Sequence, residues 1–122
     1  MTVDPSFSKA HFELARTYEA LSDYPHARQE YRLAREYDKV HLRACRKFNR
    51  IIHRVARRHG VPVVEIGEAF EEVSPHHLPG DNLFLEHVHP NINGHLIMAD
   101  TLSHFLARRD FIEPEPNWQW GN

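Results

Sequence analysis

One β-branched run, residues 61–66 (Val-Pro-Val-Val-Glu-Ile), constrains the fold of this chain more than any other feature. Bounded by Gly60 and Gly67, it is typical of a buried parallel strand. The sequence offers no second convincing strand, and a lone strand leaves its backbone donors and acceptors without ladder partners. The run therefore belongs to a larger sheet whose other strands precede this chain, or pairs through oligomerisation, or stays irregular. We favour the first alternative.

Two amphipathic stretches near the start of the chain predict a pair of antiparallel helices. Apolar residues recur at intervals of three and four from Phe7 to Leu21, which is the spacing of one buried helix face. Asp23 is suited to cap a second helix, and Pro25 is tolerated in a first helical turn. The apolar face of this second helix is formed by Ala27, Tyr31, Ala34 and Tyr37.

A third helix is predicted from Val40 to His59, with Gly60 placed to end it. Its apolar side holds Leu42, Cys45, Phe48, Ile51, Ile52, Val55 and Ala56. Seven cations lie largely on the other side: Arg43, Arg46, Lys47, Arg50, Arg54, Arg57 and Arg58. Such a helix can face an acidic surface, although cations on a helix are more commonly its solvated side.

Composition narrows the class of protein. With 41% apolar and 26% charged residues, the chain is expected to fold. Its net charge of -2 gives no reason to expect nucleic acid as a partner. The single cysteine, Cys45, has no internal disulfide partner, residues 1–20 lack the apolar core run of a signal peptide, and no stretch of the sequence approaches the length of an apolar membrane span. We therefore expect a cytoplasmic protein without a membrane partner.

The first helical pair resembles a tetratricopeptide (TPR) repeat over about residues 8–41. The resemblance rests on Leu14, Ala15, Tyr18, Ser22, Tyr24, Ala27, Tyr31 and Ala34. Small residues let two helix backbones approach closely, and the aromatic residues fill the groove made by the crossing. The alternative is an ordinary helical hairpin without repeat ancestry. One repeat alone cannot build a concave binding surface.

The segment from Asp81 to His95 concentrates polar functional groups ahead of a final amphipathic helix, predicted over Leu96–Leu106. Its order of an acid, a histidine three residues later, proline and glycine resembles the last conserved block of the SGNH, or GDSL-type, hydrolases. By this resemblance, which covers about residues 40–109, His89 is the catalytic base and Glu86 its acid partner. The family ordinarily has aspartate at the position of Glu86, although glutamate serves as the third triad member in other hydrolases.

The chemistry of such a site requires these residue types. A hydroxyl is a weak nucleophile until an imidazole removes its proton, and an acceptor on the other ring nitrogen must hold that imidazole in one tautomer. The family's Gly-Asp-Ser nucleophile block and its oxyanion residues are missing from this sequence. The serines present, Ser6, Ser8, Ser22, Ser74 and Ser103, lack that setting. The chain alone is therefore expected to be a poor hydrolase, as the distal part of a longer enzyme whose nucleophile domain is encoded ahead of Met1.

The expected fold class is α/β, mostly helical as a fragment. A TPR-like hairpin (residues 1–39) precedes the C-terminal portion of an SGNH hydrolase-like domain (residues 40–109), which the resemblance implies is flavodoxin-like and three-layered. A short helix over Glu68–Val73, a loop over residues 74–81 and a Pro/Trp tail (residues 110–122) complete the chain. Expected partners are the missing nucleophile domain, a second copy of the chain, or a protein bound by the hairpin.

Three other interpretations remain open. His87 and His89, with Glu86 and other histidines nearby, invite a metal site, but their spacing matches no recognised one, so neither metal nor cofactor is expected. The other histidines in question are His76, His77 and His95. The chain could also be a protein-binding module whose remainder is a decayed scaffold, or a translated gene fragment without activity.

Overall fold

The computed structural model describes residues 7–38, 46–86 and 88–112. Within them lie five α-helices: α1 (Ser8–Ala20), α2 (Tyr24–Glu36), α3 (Arg46–His59), α4 (Ile66–Val73) and α5 (Ile92–Arg108). A short 3-10 helix, Pro75–His77, follows α4. The chain divides into two compact units, Met1–Val61 and Pro62–Asn122. The mostly helical character predicted from the sequence is confirmed.

The predicted strand at residues 61–66 is wrong. Residues 61–65 have no regular structure, Ile66 begins α4, and the described residues contain no strand, only one isolated antiparallel bridge between Phe84 and Pro90. A β-branched run becomes a strand only where a neighbouring backbone supplies ladder partners, and no described segment supplies them to residues 61–65. The third alternative, an irregular segment, describes the run in this structure.

Helices α1 and α2 form the antiparallel hairpin that the apolar spacing predicts. The Ser8 hydroxyl near the start of α1 donates to the Ala34 carbonyl near the end of α2, at 2.7 Å. Toward the turn, the rings of Tyr18 and His26 stack with their centroids 5.2 Å apart. Ala15 and Ala27 are completely buried. The small side chains therefore lie where close packing of the two helices requires them.

The turn of this hairpin follows the local signals in the sequence. Asp23 caps α2 by accepting from the His26 backbone amide at 3.4 Å, and Pro25 lies in the first turn. Ser22 adopts a left-handed conformation (φ 59°), and the Asp23 amide then donates to the Tyr18 carbonyl at 2.8 Å. This bond closes the C-terminus of α1 in the way that a glycine at the same position commonly does.

Tyr31 gives the hairpin a testable electrostatic property. Burial, followed by the hydrogen bond that its hydroxyl donates to the Glu19 carboxylate at 2.6 Å, raises the pKa of Tyr31 to about 12. The folded chain thus favours the neutral phenol, so this contribution to stability is complete below pH about 10 and is lost as the pH rises through about 12. The difference in tyrosinate absorbance between the parent chain and Tyr31→Phe isolates the titration of Tyr31. We expect this difference to rise near pH 12, and a difference that rises near pH 10 instead would contradict the assignment. Glu19→Gln should lower the Tyr31 pKa only in part, because burial is the larger cause.

Helix α3 ends at His59, as predicted. Gly60 takes φ +65°, and the Val61 amide donates back to the Ala56 carbonyl at 2.9 Å. This is the left-handed closure for which glycine is preferred, because a Cβ there is strained. The predicted start of the helix at Val40 lies outside the described residues, as do Cys45 and residues 113–122 of the tail.

Packing in the second unit centres on α4, the following loop and α5. Phe70 and Leu83 are buried, and the Phe70 ring meets the Phe84 ring edge-on with centroids 5.4 Å apart. The buried Ser74 hydroxyl donates to the Phe70 carbonyl at 2.7 Å and accepts from the Asn82 amide at 3.0 Å. These contacts fix the polypeptide on the approach to the candidate site. None of the helices that the structure describes has the length and apolar character needed to span a bilayer.

Candidate functional site

The loop that carries the predicted acid and histidine, residues 81–91, is called here the acid–histidine loop. Its two ends are held together by backbone hydrogen bonds: the Leu85 amide donates to the His89 carbonyl, and the Asn91 amide donates to the Leu83 carbonyl, both at 2.9 Å. The bridge between Phe84 and Pro90 lies between these bonds. These contacts close a narrow turn, and Glu86 and His89 therefore lie close together at its end.

The structure brings Glu86 and His89 together. Nδ1 of the His89 imidazole is hydrogen-bonded to Oε1 of Glu86. The same carboxylate accepts from two backbone amides, from His89 to Oε1 at 3.0 Å and from Val88 to Oε2 at 3.3 Å. These amides restrict the carboxylate, and the carboxylate in turn restricts the ring, so the imidazole is oriented by backbone geometry as well as by its acid partner.

This arrangement has a defined chemical capacity. An ionised carboxylate only accepts hydrogen bonds, so Nδ1 must be the donor, and in the neutral ring the lone pair then lies on Nε2. Nε2 is the nitrogen that can remove a proton from an approaching hydroxyl. The His89 side chain is 76% exposed, so this nitrogen is open to a group supplied from outside the loop.

The final helix begins earlier than predicted. Instead of starting at Leu96, α5 starts at Ile92, and His95 lies inside it. Asn91 is the N-cap, and its side chain accepts from the Gly94 amide at 3.0 Å while donating to the Asp81 carbonyl at 3.2 Å. Asparagine is among the best N-cap residues, so Asn91 is the sequence signal that could have located this boundary. The acid–histidine loop is thus joined directly to the first turn of α5.

Gly94 permits a very close contact between α5 and the acid–histidine loop. A Cβ built on this buried glycine would lie 2.4 Å from the Leu83 carbonyl oxygen and 2.9 Å from Pro90 Cβ. The Leu83 carbonyl is also the acceptor for Asn91, so the same backbone group closes the loop and meets the helix. The close approach of these two backbones therefore explains why position 94 is a glycine.

Three of the described serines use their hydroxyl groups to hydrogen-bond the backbone. Ser8, Ser74 and Ser103 each donate to a backbone carbonyl, of Ala34, Phe70 and Asp100 respectively. Such bonds are typical of structural serines rather than of a nucleophile hydrogen-bonded to an imidazole. Ser6 lies outside the described residues.

The histidines raised by the metal interpretation do not gather into one site in the part of the chain that is described. There, no group of three or more His, Cys, Asp or Glu side chains is arranged to hold a metal ion. His77 instead bonds the Glu71 carbonyl at 3.1 Å, and His76 and His77 both have positive φ in the turn after α4. His87 lies outside the described residues.

Sequence reasoning missed three further acid–histidine pairs in the described residues. His11 on α1 and Glu30 on α2 are joined at 2.6 Å, His26 is joined to Asp23 at 2.7 Å, and His104 lies 3.3 Å from Asp100 on α5. The second has the same three-residue spacing as Glu86 and His89, but it lies at a helix N-terminus where the acid is a cap. Spacing alone therefore does not identify a catalytic pair, and the closed turn around His89 is the distinguishing feature.

Comparison with known proteins gives no match: no family model fits the chain, and no curated protein and no solved structure is significantly similar to it.

Proposed function

We propose that this chain supplies the base and the orienting acid of an SGNH/GDSL-type hydrolase that acts on ester or acyl bonds, with the serine nucleophile supplied by another segment. The observation that carries the proposal is the hydrogen bond from His89 Nδ1 to a Glu86 carboxylate that is itself held by backbone amides. The exposure of His89 also supports it, because a site completed by a second segment must leave its base accessible.

The proposed reaction proceeds by acyl transfer. The incoming serine oxygen attacks the carbonyl carbon of the substrate, and its proton passes to Nε2 of His89. Glu86 stabilises the resulting imidazolium, and His89 then returns the proton to the departing alcohol. Water repeats the sequence: it gives its proton to His89, attacks the acyl group, and the serine oxygen leaves with that proton. His89 and Glu86 are unchanged at the end.

The test begins with the coding sequence upstream of Met1, where the proposal requires a segment containing a Gly-Asp-Ser block. Co-expressed with that segment, the chain should hydrolyse a small chromogenic acetate ester, whereas the chain alone should show only background turnover. His89→Ala in the reconstituted protein should lower kcat by about 10³-fold or more, because removing one member of a triad abolishes most of its catalysis.

His95→Ala is the matched control. His95 is an exposed histidine close in sequence, but it lies on α5 outside the closed turn, so its loss should leave kcat unchanged. Equal losses from both variants, or no upstream Gly-Asp-Ser segment in any frame, would contradict the proposal. The second outcome would favour the protein-binding module or the inactive fragment.

A further inference from the structure

Helix α3 has an apolar face that neither of the other described helices of its unit, α1 and α2, covers. Phe48, Ile52 and Val55 are 55%, 52% and 50% exposed, and Ile51 is also exposed beside them. Helices α1 and α2 pack on each other, but α3 has no comparable neighbour among the described helices of its own unit. An isolated helix of this length is marginally stable in water, so covering this face would stabilise it.

The polar side of α3 is strongly cationic. The helix contains six arginine and lysine residues and no acidic residue: Arg46, Lys47, Arg50, Arg54, Arg57 and Arg58. Residues Lys47 and Arg54, seven positions apart, lie along the edge of the apolar face next to Ile51. A direct pairing of α3 with another α3 would bring these like charges together, so the complementary surface must be acidic.

The same sequence supplies an acidic surface in its other unit. Residues 1–61 hold 13 Lys and Arg against 7 Asp and Glu, a net charge of +6, whereas residues 62–122 hold 2 against 10, a net charge of -8. Two halves of opposite sign attract each other between molecules, and such a field guides association.

Helix α4 carries a matching acidic edge. Glu68 and Glu72 are exposed and four positions apart, which places them on one side of the helix, and the exposed Glu65 is its N-cap. The exposed Val73 and the half-buried Ala69 adjoin this edge. An acidic row beside an apolar strip is the complement of the α3 surface, where a cationic row lies beside an apolar strip.

We propose that α3 of one copy of the chain docks on the α4 surface of a second copy, covering Phe48, Ile52 and Val55 and pairing Lys47 and Arg54 with Glu68 and Glu72. The contact is heterologous, since different surfaces of the two copies meet. This inference does not rest on the proposed hydrolase activity. His89→Ala should leave the association unchanged, so the two proposals can fail independently.

Charge reversal on each surface provides the test, with sedimentation velocity over a concentration series as the measurement. The parent chain should self-associate, and more weakly as salt is raised, because the Debye length falls from about 10 Å at 0.1 M to about 3 Å at 1 M. The α3 variant (Lys47→Glu with Arg54→Glu) and the α4 variant (Glu68→Lys with Glu72→Lys) should each weaken self-association by about tenfold or more. A mixture of the two should form mixed oligomers, because each reversed surface then meets its complement.

The matched control is Lys9→Glu with Arg16→Glu, which changes net charge equally on α1 and should leave self-association close to that of the parent. Two results would overturn the proposal. These are a parent chain that stays monomeric at every concentration, and binding of monomers to anionic vesicles that depends on Phe48 and Ile52. The second would mean a lipid surface instead of a second copy.

Discussion

Gly94→Ala will lower the free energy of unfolding of the second unit by about 2 kcal/mol, although alanine is the better helix former. The alanine methyl would lie 2.4 Å from the Leu83 carbonyl oxygen, well inside any real contact distance, and the obstacle is backbone that cannot rotate away. Overpacking of this kind costs about 1–3 kcal/mol, which exceeds the propensity gain of about 1 kcal/mol.

The same substitution should disturb the candidate site. Moving the Leu83 carbonyl weakens its hydrogen bond from the Asn91 amide, which closes the acid–histidine loop. Amide hydrogen exchange across α5 and residues 83–91, measured in the Gly94→Ala chain, should therefore show reduced protection. Unchanged protection with increased stability would contradict the close approach seen in the structure.

Gly67→Ala is the matched control for this prediction. Gly67 also lies in the first turn of a helix, α4, but a Cβ built there would have no neighbour within 4 Å. Without a clash, only the propensity gain and the reduced freedom of the unfolded chain remain. This variant should be neutral or more stable by up to about 1 kcal/mol.

Ala27→Leu should destabilise the hairpin by about 1–3 kcal/mol. Ala27 is completely buried on α2, as is Ala15 on α1, and the larger side chain must push the two helices apart or adopt a strained rotamer. All four tyrosines lie between residues 18 and 37, so near-ultraviolet circular dichroism of tyrosine reports on this unit. The midpoint of urea unfolding, followed by that signal, should therefore fall to a lower urea concentration.

Ala10→Leu separates overpacking from any general effect of leucine. Ala10 lies on α1 of the same hairpin but is exposed, and leucine has almost the helix propensity of alanine. Its midpoint should stay close to that of the parent chain. Equal shifts for Ala10→Leu and Ala27→Leu would show that the helices are not closely packed at Ala27.

The helices could be predicted because their signals are local. Apolar spacing, the Asp23 cap and the Gly60 stop each act within one or two turns, and the structure follows all three. The segment at residues 61–66 could not be predicted in the same way. Its β-branched residues suit a strand, but strand formation depends on a partner that local sequence does not reveal.

The sequence predicted the acid and the histidine of the candidate site but not the backbone contacts that position them. The three-residue spacing of Glu86 and His89 indicated that they could meet, and the structure places them in contact. The two amides that hold the carboxylate, and the Leu83 carbonyl shared between the loop and α5, depend on contacts that the sequence does not encode as a pattern. The start of α5 was missed because the Pro-Asn-Ile-Asn-Gly run has the composition of a loop, whereas Asn91 acts as a cap.

The central claim is that Glu86 holds the His89 imidazole with its proton on Nδ1, and ring ¹⁵N chemical shifts of His89 in the neutral state measure this directly. We expect a protonated Nδ1 and an unprotonated Nε2, with that preference lost in Glu86→Ala, while His77, whose Nδ1 bonds the Glu71 carbonyl, keeps its own tautomer in both chains. A neutral His89 protonated on Nε2, or one indifferent to the loss of Glu86, would contradict the account.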